Sequence, residues 1–231
     1  MSYRHEPRRT MNNTATFELP SAPPVSSMRL LGDTVKFRTI VADPPWEYPE
    51  GFAGGPGHGD WTPTPLPYPS MTVAEICALP VKELADKDCR LWLWTTNKYL
   101  PAAFDVMKAW GFEYRQIIVW HKLDSNLGGS VAPNSAEFLL VGVKGQLPIK
   151  KKWKTSVVGL AHGKRHSEKP KEWHFLIEQV DDGERLEMFA RRKRPGWHVW
   201  GNELSNDVNL VTPNDPSSRT PQPQREPRER N

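Results

Sequence analysis

Four neighbouring residues, Asp43, Pro44, Pro45 and Trp46, have the types and spacing for chemistry. They close an apolar run in which Ile40, Val41 and Ala42 read as a short buried strand of a parallel sheet. Neither proline can donate to a sheet ladder, so the strand must stop there. That puts Asp43 at the carboxyl end of a central strand, where open α/β sheets bind their ligands. Proline carbonyls and an ionised aspartate are acceptors only. Side by side, they suit a group with two N–H donors, such as the exocyclic amine of adenine. The lone pair of that amine is delocalised into the ring, which makes it a poor nucleophile. Two fixed acceptors hold the amine, favour lone-pair localisation and aim it at an electrophile. Trp46 is expected to offer a face on which a flipped base stacks. The plainer alternative is a strand ending in a rigid turn, with Asp43 as a cap.

Further stretches agree in order with one known family. They are Leu66-Pro-Tyr-Pro-Ser-Met71, Leu91-Trp-Leu-Trp94, Ile117-Ile-Val-Trp120, Glu137-Phe-Leu-Leu-Val-Gly-Val-Lys-Gly145, His166-Ser-Glu-Lys-Pro170, Leu186-Glu-Met-Phe-Ala-Arg191 and Gly196-Trp-His-Val-Trp-Gly-Asn-Glu203. With Asp43-Pro-Pro-Trp46, the chain resembles the MT-A family of adenine-N(6) methyltransferases over roughly residues 35–204. These enzymes use S-adenosylmethionine and include bacterial and phage relatives of the catalytic subunit of the mRNA adenosine methyltransferase. An ordered set of motifs is far more specific than one motif. The resemblance implies an α/β, Rossmann-like methyltransferase fold with a mostly parallel sheet and a circularly permuted motif order. It implies catalytic roles for Asp43, Pro44, Pro45 and Trp46. It assigns Asp43, Lys169, Arg191, Asn202 and Glu203 to the cofactor, although many eukaryotic relatives have glutamine at the position of Glu203. Substrate contacts fall to Trp46, Tyr68 and Glu137.

The remaining elements must position these residues. Thr72-Val-Ala-Glu75 is a capping box, so a helix starts there and ends near Pro80, with another helical turn expected over 82–85. The stretch 90–95 reads as a strand. Residues 99–110 have a helical pattern, with Pro101 near the start and Gly111 as the stop. Strands are expected over 116–120, 137–143, 185–189 and 197–200, making six with the first. A helix over 170–180 buries Trp173, Leu176, Ile177 and Val180 on one face. The glycine- and proline-rich stretch 47–70 reads as a lid or substrate-gripping loop. Lys150-Lys-Lys-Trp-Lys154 combines charge with an aromatic, the footprint of phosphate contact plus stacking, so Lys151, Lys152 and Lys154 are expected substrate contacts. A solvated surface loop is the alternative reading of that cluster.

Composition bounds the rest. The chain has 231 residues and a formal charge of +4, which fits one domain and a phosphate-bearing partner. The expected organisation is an arm over 1–27, a methyltransferase domain over 28–204 and a proline- and charge-rich tail over 205–231, with both ends disordered. Cys77 and Cys89 have no metal-site spacing, and His58, His121, His162 and His166 have no ligand spacing, so no metal is expected. No apolar run reaches membrane-spanning length and the N-terminus lacks a signal-peptide core, so a cytoplasmic protein is expected. The leading functional reading is methylation of the adenine N6 amine in nucleic acid. DNA is somewhat favoured over RNA, because the chain lacks the zinc-finger region of the eukaryotic RNA enzyme. The competing reading is a non-catalytic, nucleic-acid-binding partner subunit. Relatives of that kind lose the acid that Asp43 retains. Cytosine-amine or protein-amide methylation fits less well, because those enzymes carry Ser or Asn at this position.

Overall fold

The computed structural model describes residues 35–48, 69–123, 131–161, 169–208 and 210. The expected N-terminal arm, most of the loop over 47–70, Tyr68 and most of the tail lie outside these residues.

Strand β1 (Phe37–Ala42) stops immediately before Asp43. Helix α1 (Val73–Ala78) starts at the capping box, where Thr72 and Glu75 satisfy each other's backbone N–H. A single turn, α2 (Val81–Leu84), leads into β2 (Ala85–Thr95), which begins five residues earlier than its hydrophobic pattern indicates. Helix α3 (Leu100–Ala109) has Pro101 in its first turn. Gly111 follows it at φ 80°, a left-handed conformation that ends a helix without a Cβ clash. Then come β3 (Glu113–Lys122), β4 (Ala136–Lys144), β5 (Val157–Leu160), α4 (Glu172–Glu178), β6 (Arg185–Met188) and β7 (His198–Trp200).

These strands form one sheet in the order β5-β3-β4-β2-β1-β6-β7. Strand β1 lies parallel to β2 and β6, β6 to β7, and β3 to β5, whereas β4 is antiparallel to both neighbours. The fold is therefore α/β with a mostly parallel, Rossmann-like sheet. Two features depart from the sequence reading. Strand β5 is a seventh strand; it is short, lies at the sheet edge and contains Gly159, so it carries little hydrophobic pattern. The sequence over 123–135 has no helical pattern to suit a crossover, and β4 lies antiparallel beside β3.

Strand alternation sends neighbouring side chains into two cores. Leu91 and Leu93 of β2 face Ile76, Met107 and Trp110 under α1 and α3. Trp92 and Trp94 face Trp120, Trp173 and Ile177 under α4. Arg90 is buried and ties three segments together, donating to the carboxylate of Asp181 and to Leu147 O at 2.9 Å. The domain also runs past Leu204. Asp207 bonds Val199 through both backbone and side chain, at 2.9 and 3.1 Å, and Asn206 Oδ1 accepts from Gly201 N–H at 2.7 Å. The expected tail therefore begins later than residue 205, because β7 is an edge strand whose end needs these partners.

Strand direction fixes the position of the site. The carboxyl ends of β1, β2, β3 and β6 and the start of β4 share one edge of the sheet.

Candidate active site

Asp43 follows the last residue of β1 and opens a tight turn. Trp46 N–H donates to Pro44 O at 2.8 Å, closing a three-residue turn centred on Pro45, and Met71 N–H donates to Pro45 O at 2.8 Å. The fixed φ of proline suits such a turn. Each proline carbonyl thus already accepts one bond, and only its second lone pair is left for a ligand.

A chain of alternating charge runs inward from Asp43. Lys169 Nζ donates to Asp43 Oδ2 at 2.7 Å and lies 3.1 Å from Glu137 Oε2. Lys122 Nζ lies 2.6 Å from Glu137 Oε1. The side chains of Lys169 and Glu137 are each only 10% exposed, so neither charge is tolerated there without its partners. Desolvation raises the pKa of Asp43 above the usual aspartate range; Glu137 adds to the rise, and Lys169 opposes it without cancelling it. About a third of the Asp43 side chain (36%) remains open, so water moderates this shift. Desolvation also bears most heavily on Lys169, but the attraction of Asp43 and Glu137 outweighs it and raises the lysine's pKa. For Glu137, Lys169 and Lys122 together outweigh desolvation and hold the carboxyl below its usual range.

The cleft beside Asp43 is lined by Pro44, Pro45, Pro69, Phe189, Ala190, Arg191, Asn202 and Glu203. Its far wall forms where β6 and β7 end. Phe189 leaves β6 at φ 62°, a left-handed conformation that costs a non-glycine residue on the order of 1–3 kcal/mol. Ala190 N–H donates to Trp200 O at 2.9 Å, and Gly201 packs so closely that a Cβ there would lie 2.1 Å from Ala190 O. Arg191 Nε lies 3.7 Å from Glu203 Oε1. A cation, an amide and a carboxylate therefore face the acid and carbonyls of Asp43-Pro-Pro across one cleft.

The structure gathers Asp43, Pro44, Pro45, Arg191, Asn202 and Glu203 in this cleft, and joins Glu137 to Asp43 through Lys169. Other expected positions need correction. Trp46 is 5% exposed, stacks on Tyr99 at 5.2 Å and donates from Nε1 to Trp94 O at 3.3 Å. It is a core residue and presents no stacking face to a base. Lys169, expected to contact the cofactor, is only 10% exposed and its ammonium is held between Asp43 and Glu137. Lys151, Lys152 and Lys154 lie outside the cleft. Their segment starts beside the amino end of β6, where Lys150 bonds Val180 O and Asp182, and it ends at the edge strand β5. Trp153 is half-buried, with its ring stacked on Trp92 and tilted against Trp173, so one of its faces is already taken by the core. Sequence reasoning missed two residues of the site. Lys122 was recognisable only as a basic residue at a strand end, and no local signal marks the left-handed Phe189. Among the described residues, no group of three or more His, Cys, Asp and Glu is placed to hold a metal ion.

The family model described as MT-A70 matches residues 37–203, which contain every residue of this site. The chain is 29% identical to a type II methyltransferase, M.MunI, from Mycoplasma sp, over 77% of this chain and 82% of the relative. It is 31% identical to an N(6)-adenosine-methyltransferase MT-A70-like protein of Drosophila melanogaster, over 80% of this chain and 30% of the relative. The human N(6)-adenosine-methyltransferase catalytic subunit METTL3 is 29% identical, over 77% of this chain and 30% of the relative. The match thus spans under a third of each of these two animal relatives.

Proposed function

The chain belongs to the MT-A70 family, and from that premise we propose that it methylates the exocyclic N6 amine of adenine in nucleic acid, with S-adenosylmethionine as the methyl donor. The observation that carries this reading is the meeting of two remote segments. Asp43 lies at the end of β1, and Arg191, Asn202 and Glu203 line the same cleft.

The chemistry of the donor set fits this cofactor. Arg191 matches its carboxylate, Asn202 and Glu203 match a ribose diol, and the backbone at Gly201 leaves no room for a side chain on that wall. The cofactor supplies an electrophilic methyl group on a sulfonium. The protein supplies everything that aims the nucleophile. Asp43 and the second lone pair of Pro44 O accept from the target amine, which orients it and favours lone-pair localisation. Lys169 keeps Asp43 ionised and fixed, while Glu137, steadied by Lys122, holds Lys169. The raised pKa of Asp43 also suits it to take the proton that the amine nitrogen sheds after methyl transfer. Tyr68 remains a proposed contact to the base.

DNA is the favoured polymer, because the type II methyltransferase relative is matched over most of its length. The test is methylation of purified DNA and RNA with labelled cofactor, followed by nucleoside mass spectrometry. N6-methyladenine formed on DNA, and absent with Asp43→Ala, is the expected result. Label in cytosine or in protein, or none at all, would overturn the reading.

A further inference from the structure

We propose that the segment Lys150–Ser156 is a docking surface for nucleic-acid phosphates, set apart from the cleft and engaged only by a polymer long enough to reach it. This rests on the nucleic-acid reading above and specifies where the polymer runs.

The first observation is rigidity. Lys150 N–H donates to Val180 O at 2.8 Å, and its ammonium pairs with Asp182 at 2.8 Å. Trp153 Nε1 donates to Leu176 O at 3.0 Å, and its ring stacks on Trp92 at 5.3 Å. Ser156 O accepts from Val119 N–H at 2.7 Å. The segment is thus strapped across the α4 face of the sheet, pinned at its start, middle and end.

The second observation is charge. Lys151, Lys152 and Lys154 are exposed, and none has an ion pair or hydrogen bond among the described residues. Glu178 and Asp182, which line a concavity beside Lys150 and Lys151, are engaged by Trp197 and Lys150. Three unpaired ammonium groups on a preorganised backbone lose little entropy on meeting phosphates. One face of the Trp153 ring is packed on Trp92, so the ammonium groups are the strap's main contacts, and phosphate contacts of this kind carry no sequence information.

The third observation is distance. Four strand steps separate β1 from β5, where the strap ends. At about 4.8 Å per step, that is roughly 19 Å from the Asp43 end of the sheet. With a rise of about 3.4 Å per base pair, the Ser156 end of the strap lies some five or six base pairs from the target adenine, while Trp153 and the lysines that flank it sit nearer, over Trp92 of β2.

The experiment compares the wild-type chain with Lys151→Ala/Lys152→Ala/Lys154→Ala and with the corresponding triple arginine variant. Affinity is titrated across a salt series on a hairpin with a six-base-pair stem and on a 24-base-pair duplex, each with one central adenine. The alanine variant should lose roughly tenfold or more in affinity on the long duplex, with a salt slope shallower by up to about 2.7, and should lose far less on the hairpin. The arginine variant should keep the wild-type slope. Equal loss on both lengths would place the lysines at the cleft and overturn the proposal. An unchanged slope on the long duplex would make them solvated surface charge and also overturn it. A wild-type chain that binds neither DNA would fail at the nucleic-acid reading itself, a result distinct from failure of the strap alone.

Discussion

Asp43 sits between two opposing influences, and its protonation is the quantity to measure. It must be ionised to accept from the amine, so activity should fall as pH drops through its raised pKa. Glu137 raises that pKa and Lys169 lowers it. Glu137→Gln should therefore move the acid limb of kcat/KM to lower pH, and Lys169→Met should move it to higher pH. Shifts of the same sign in both variants would remove Lys169 from its role as the clamp on Asp43. Replacing the acid itself is more severe. Asp43→Ala should cost about 3–4 kcal/mol in the barrier, on the order of 10²–10³ in turnover, with the chain still folded but its thermal midpoint lowered, because Lys169 loses a carboxylate partner and is left with Glu137. Turnover within a few-fold of wild type would exclude the proposed acceptor.

At the scale of elements, the proposed cofactor wall is built where β6 and β7 end. Gly201→Ala would press a methyl group onto the backbone of Ala190, which is buried two residues past the end of β6 and bonded to Trp200 O. The wall should part, and the affinity for S-adenosylhomocysteine should fall at least tenfold in calorimetry. An unchanged dissociation constant would mean that Asn202 and Glu203 do not depend on that contact. The turn after β1 has a different role from the one its sequence suggests. Trp46 fills the core between Tyr99 and β2, so Trp46→Ala should cost about 3–5 kcal/mol of stability, read from urea unfolding. Its activity loss should be similar on paired and unpaired substrates. A selective loss on paired DNA would restore the base-stacking role.

Across the whole molecule, Arg90 joins β2 to the segment before β6 and to the chain beyond β4. Asp181→Ala would leave a buried guanidinium without its counter-charge, at a cost of about 3–5 kcal/mol. The urea midpoint should drop accordingly, with the m-value unchanged. A loss below about 1 kcal/mol would mean that water reaches Arg90 and replaces the carboxylate. The two cores meet at the central strands, and this ion pair keeps the amino end of the sheet in register while the carboxyl end carries the cleft.

The amino-acid sequence by itself determined what is local. Pro44 and Pro45 had to end a strand, so Asp43 had to stand at its tip. Thr72 and Glu75 had to cap a helix, and Gly111 had to stop another. Backbone donors and fixed φ values act within a few residues, and so can be read from neighbours alone. The late motifs likewise mark Arg191, Asn202 and Glu203 as candidates, and the structure brings them to the cleft beside Asp43. Tertiary structure decided what depends on distance through space. It paired Lys169 with Asp43 across 126 positions of sequence and added Lys122 through Glu137. It turned β4 antiparallel, placed β5 at the edge, buried Trp46 and carried the lysine strap away from the cleft. Strand order, burial and ion pairing are settled by packing of the whole chain, because the same Trp or Lys is equally compatible with a site, a core or a surface until its neighbours are present.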